Sequence, residues 1–80
     1  MDPGVAFGQV LRELRRETGL SQEQLAFAAE IERNFVSLIE RGVNQPTIRV
    51  IFKLAQALGL PASKMLVLVE EKIRGGGESE

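Results

Sequence analysis

The stretch SQEQLAFAAEIERNFVSLIERG, residues 21–42, constrains the fold more than any other part of this chain. It reads as two short helices joined by a tight turn. Ser21 precedes Gln24 by three residues, the spacing at which a hydroxyl caps a helix N-terminus while the third residue's amide reaches back to the cap. A helix is therefore predicted to start at about Gln22. Its apolar residues Leu25, Ala26 and Ala29 share one face, and the small alanines let a neighbour approach closely. After a break at Glu30 and Ile31, a second helix is predicted from Glu32 or Arg33, ending at Gly42, which suits the left-handed conformation found just past helix ends. At about 100° per residue, Arg33, Asn34, Ser37 and Arg41 span one quadrant while Phe35, Val36 and Ile39 point the other way. One side packs and the other displays polar groups.

The rest of the chain supplies the core that such a pair needs. Asp2 followed by Pro3 is an acidic cap with proline at the first helical position. The helix it starts is predicted to reach Thr18 and end at Gly19, with Phe7, Val10, Leu11 and Leu14 inward and Arg12, Glu13, Arg16 and Glu17 outward. Gly4 and Gly8 read as weak points within it, each costing about 1 kcal/mol relative to alanine. Residues 43–46, VNQP, form a loop, and Thr47 caps a fourth helix with the stripe Ile48, Ile51, Leu54, Ala55 and Leu58, ended by Gly59. Phe27 and Phe52 are assigned to packing, and Arg49 and Lys53 to a solvated helix face.

A fifth helix is predicted from Pro61 or Ala62 to about Ile73. Met65, Leu66, Val67, Leu68 and Val69 follow one another without a polar residue, so this helix needs cover on more than one face. Three arrangements would provide it. A second copy of the chain could cover Met65, Leu66, Leu68 and Val69; the run could complete the core of its own domain; or MLVLV could form a strand that pairs two chains. The expected organisation is a single domain over residues 1–74, with GGGESE, residues 75–80, as a disordered tail.

Composition excludes several classes. Eighty residues suffice for one small domain, and the absence of cysteine and histidine rules out disulfides and Cys/His zinc sites, so no metal or cofactor is expected. No apolar run reaches the roughly 18 residues of a membrane span, and MDPGVAFG lacks the regions of a signal peptide. A cytoplasmic protein without membrane or small-molecule partner is expected. The formal net charge of −1 is unusual for a nucleic-acid binder, but residues 1–69 carry eight basic and seven acidic side chains while 70–80 carry two and four. A positive surface therefore has to arise locally, and few phosphates would be neutralised.

The spacing Gln22, Leu25, Ala26, Ile31, Val36, Ile39 resembles the helix-turn-helix of the phage repressor and Cro group, the XRE family, and ERNFVSLIERG is similar to the recognition helix of restriction-modification controller proteins. The resemblance covers about residues 7–68. It implies an all-α, five-helix lambda-repressor-like domain of prokaryotic or phage origin, in which helix three enters the DNA major groove and helix two lies across it. It further implies that Arg15 pairs with Glu40, bridging helices one and three. Glu30 departs from the family, where glycine is common at that position, so either a strain on the order of 1 kcal/mol or a reshaped turn is expected there.

Base reading is assigned to Arg33, Asn34 and Ser37, whose groups match guanine O6/N7, adenine N6/N7 and either base respectively. Ser21, Gln22, Arg41 and Asn44 are the expected phosphate contacts, aided by the positive N-terminus of helix two. The angle of Phe35 permits core packing, while the resemblance also allows contact with a thymine methyl or the sugar-phosphate edge. The leading expectation is a homodimeric transcriptional regulator on a near-palindromic DNA operator, with occupancy set by protein concentration. A protein-binding module such as an antitoxin is the alternative. An enzyme is disfavoured, because Glu70 and Glu71 read as a solvated face and no phosphate-cradling glycine loop is present.

Overall fold

Three of the helix starts are closed by the side chains that the sequence places there. The computed structural model describes residues 1–78, in which α1 (Pro3–Glu17), α2 (Gln22–Ala29), α3 (Arg33–Glu40), α4 (Ile48–Leu58) and α5 (Ala62–Glu78) follow one another. Asp2 Oδ2 accepts from the Val5 amide at 3.0 Å, and Thr47 Oγ1 from the Val50 amide at 3.2 Å. At α2 the exchange is reciprocal. The Gln24 amide donates to Ser21 Oγ at 3.0 Å, and the Ser21 amide donates to Gln24 Oε1 at 2.9 Å.

The first four helices end alike. In each, the amide of the left-handed residue reaches the carbonyl three residues back, and the next amide reaches the one five back: Gly19 and Leu20, Glu30 and Ile31, Gly42 and Val43, Gly59 and Leu60. Three of the left-handed positions are glycine, and the fourth is Glu30 at φ 59°. The turn between α2 and α3 therefore keeps the geometry of the others. A Cβ in this conformation costs about 1–2 kcal/mol, so the strain is held locally instead of reshaping the turn.

Helix α1 packs on α3 and α5, α2 on α3 and α4, and α4 on α5. Leu11, Leu25, Ile39, Leu54, Met65, Val10 and Val36 fill the fully buried centre where these helices meet. The apolar run of α5 is helical, not a strand, and its residues separate by angle. Met65 (0% exposed) and Val69 belong to the core of their own chain, Leu68 packs against it half-buried, and Leu66 and Val67 face outward. Met65 and Val69 are thus unavailable to a second chain. The helix also passes the expected end at Ile73 and includes residues 75–78, because extending an established helix adds a hydrogen bond per residue without a new nucleation cost. The remainder of the expected tail, 79–80, lies outside the described residues. An exposed ion pair between Lys72 and Glu13 adds a minor tie between α5 and α1.

Three apolar assignments are corrected. Phe27 is 86% exposed, since it stands on α2 opposite Leu25, Ala26 and Ala29. Ile48 and Phe52, 67% and 61% exposed, lie one turn apart on the flank of α4 and outside its buried stripe of Ile51, Leu54, Ala55 and Leu58.

Gly8 is also not the weak point that helix propensity makes it. A Cβ at this position would stand 2.2 Å from the Ile39 carbonyl oxygen and 3.0 Å from that of Glu40, so the backbones of α1 and α3 meet here directly. Gly8→Ala should consequently destabilise the protein by about 1–3 kcal/mol, the usual range for overpacking, where propensity alone gives a gain of about 1 kcal/mol. A urea unfolding curve read by circular dichroism distinguishes the two signs.

Candidate nucleic-acid interface

The last turn of α3 carries a buried carboxylate. Glu40, its side chain only 2% exposed, accepts from Arg15 Nε at 2.7 Å on Oε2, and from Arg15 Nη2 at 3.1 Å and Gln22 Nε2 at 3.0 Å on Oε1. A third donor of the same guanidinium, Nη1, reaches the Leu20 carbonyl at 2.9 Å. The planar fork suits this two-point contact, and one carboxylate thereby joins α1, the turn before α2, the first residue of α2 and the end of α3. No buried side-chain polar atom among the described residues lacks a partner. The hydrogen bond to Glu40 raises the Arg15 pKa above the ordinary guanidinium value; burial opposes this, and charge attraction adds to it. A raised pKa in a cation means that its contribution is complete below the unfolded value and is lost only as pH rises beyond the folded one. The Arg15 side of the pair therefore introduces no pH dependence at neutrality.

With α3 fixed at this end, its two sides separate cleanly. Val36 and Ile39 are buried, and Phe35 packs half-buried against the core. Arg33, Asn34 and Arg41 are exposed and Ser37 is half-exposed, so the structure brings three donors on the eight-residue helix, and Arg41 that caps its end, onto one side. Ser21 lies at the N-terminus of α2, where its oxygen accepts within the cap and leaves the hydroxyl hydrogen free to donate. Asn44 is half-buried in the loop after α3, its amide donating to the Leu38 carbonyl at 3.3 Å.

A helix-turn-helix family profile matches residues 11–65. The chain belongs to the helix-turn-helix family. Its helix-turn-helix is the α2–α3 pair. A Sinorhizobium fredii relative, y4dJ, named as an uncharacterized HTH-type transcriptional regulator, is 34% identical over 89% of this chain and 92% of its own length. The crystal structure of the restriction-modification controller protein C.AhdI from Aeromonas hydrophila is 46% identical, covering 76% of this chain and 92% of that one at a TM-score of 0.74. The controller protein C.Esp1396I, solved as a tetramer with its natural 35-base-pair operator, shares the fold at a TM-score of 0.83 and 23% identity, over 91% of this chain and 96% of its own.

Sequence reasoning overlooked the bond from Gln22 to Glu40. The capping pattern marks Gln22 as the first residue of α2, but nothing local relates it to a carboxylate 18 positions away. One of its amide hydrogens is committed to Glu40; its oxygen and second hydrogen remain for other partners. This helix-turn-helix is therefore braced by the same carboxylate at both of its outer ends. Glu40→Gln keeps the shape but removes the charge facing Arg15, and should cost on the order of 2–3 kcal/mol in a chemical unfolding experiment. A loss below a few tenths of a kcal/mol would mean that the pair does not brace the fold.

Proposed function

We propose that this chain is a sequence-specific regulator of transcription that binds a near-palindromic DNA operator as a homodimer, with α3 in the major groove. The observation that carries the reading is the two-sided α3, apolar and buried on one side and donor-rich on the other, held at its end by the Arg15–Glu40 pair. Arg33 can present two donors to guanine O6 and N7, Asn34 can match adenine, and Ser37 can serve either. Ser21, Gln22, Arg41 and Asn44 take the flanking phosphates and set the register without reading sequence. The regulators and controller proteins that this chain resembles support the same assignment.

The face for a second copy is built from the exposed apolar side chains of α4 and α5: Ile48, Phe52, Leu66 and Val67. It replaces a dimer face built on Met65 and Val69. Two copies related by a two-fold axis would place their α3 helices about 34 Å apart, one turn of DNA. No single helix among the described residues is long and apolar enough to cross a membrane. We place the protein in the cytoplasm on DNA, acting by binding and not by catalysis, as its family of regulators does.

In vitro selection from a random duplex pool tests the reading directly: enrichment of a two-fold symmetric motif is the expected outcome, and no enrichment over background would refute it. On the selected operator, Arg33→Ala should cost about 1–3 kcal/mol and relax the preference at one base position, whereas Gln22→Ala should weaken cognate and scrambled duplexes alike. Equal losses on both duplexes for Arg33→Ala would remove its base-reading role. Phe52→Glu should leave the helical circular dichroism intact and shift sedimentation equilibrium from dimer to monomer; an unchanged dimer would place the interface elsewhere.

A further inference from the structure

Among the donors on the outward side of α3 stands one apolar side chain that does not join the hydrophobic core. Leu38 is half-buried, yet among the described residues it is neither part of the hydrophobic core nor one of the apolar side chains packed against it. At about 100° per residue it lies within about 60° of both Asn34 and Arg41, and about 160° from Val36. Its position is fixed, because its carbonyl accepts from the Val43 amide at 2.9 Å and the Asn44 amide at 3.3 Å.

We propose that Leu38 is a specificity-determining residue that reads thymine through its C5-methyl group. The inference rests on the operator reading above and adds to it a base contact that uses no hydrogen bond. In the major groove, base edges offer nitrogen and oxygen acceptors, amino donors and a single apolar feature, the thymine methyl. A leucine pressed against any other edge would strip water from polar atoms and return nothing to them. Against a methyl, both partners leave water together. Asn34, one turn earlier on the same side, can hold the neighbouring base by its polar edge, so the two residues would read adjacent steps by different chemistry.

Replacing thymine by uracil removes the methyl and leaves every hydrogen-bonding atom in place. In synthetic duplexes carrying the selected operator, each thymine is replaced in turn, and dissociation constants are measured for the wild type, Leu38→Ala and Leu38→Met. At one thymine position in each half-site the wild type should weaken about 4-fold, the factor that corresponds to about 0.8 kcal/mol for one buried carbon group. Leu38→Ala should be insensitive to uracil at that position and unchanged in its response elsewhere, while Leu38→Met should retain the sensitivity. Thermal unfolding of the free proteins separates a loss of folding from a loss of contact. Identical uracil profiles for the wild type and Leu38→Ala would overturn the proposal, as would a wild type that responds to uracil nowhere. If the wild type selects no sequence at all, the operator reading itself fails, and this inference with it.

Discussion

The structure depends on a charge that has been taken out of water. Glu40 ends an eight-residue helix whose apolar side faces the core, and a carboxylate there is tolerable only because the Arg15 guanidinium and the Gln22 amide surround it with donors. The same contact fixes relative position. A bidentate fork has one favourable plane, so the end of α3 cannot rotate about α1 without breaking a bond to a buried charge. Gln22 carries the constraint to the beginning of α2, and the Leu20 carbonyl carries it to the turn between α1 and α2.

A second constraint lies beside it and is steric instead of electrostatic. At Gly8 the α1 backbone meets the carbonyls of Ile39 and Glu40, with no space for a side chain between them. The ion pair sets the angle of α3 and the glycine sets its depth. Each would be weaker alone: a charged pair without close packing leaves room for water, and a bare backbone contact has little directional preference. Both act on the last turn of α3, while Val36 and Ile39 seat the helix on the core.

Much of this was legible from local spacing. Asp2, Ser21 with Gln24, and Thr47 each mark a helix start by chemistry that involves only neighbouring residues, and Gly19, Gly42 and Gly59 mark three ends in the same way. The donor side of α3 follows from helical angle alone. What escaped depends on elements that meet in space. Gly8 reads as a defect because propensity is blind to a neighbouring backbone, and Gln22 reads only as a phosphate contact because its carboxylate partner lies on another helix. Ile48 and Phe52 read as packing residues because they are apolar, although the flank of α4 on which they lie has no cover in a single chain. Met65 and Val69 went the opposite way, since a run apolar on all sides does not announce which residues its own core will take. Phe27 belongs with these corrections: assigned to packing as an aromatic, it stands on α2 opposite the alanines and is exposed.

The two-sided α3 separates what must be kept from what can be exchanged. Its seat consists of Phe35, Val36, Ile39 and Glu40, and its donor side chains take no part in holding it. If α3 reads DNA as proposed, substitution at Arg33, Asn34, Ser37 or Leu38 would change what is read with little effect on where the helix sits. A duplicated copy of this gene could drift toward a different operator one side chain at a time, passing through intermediates that all remain folded.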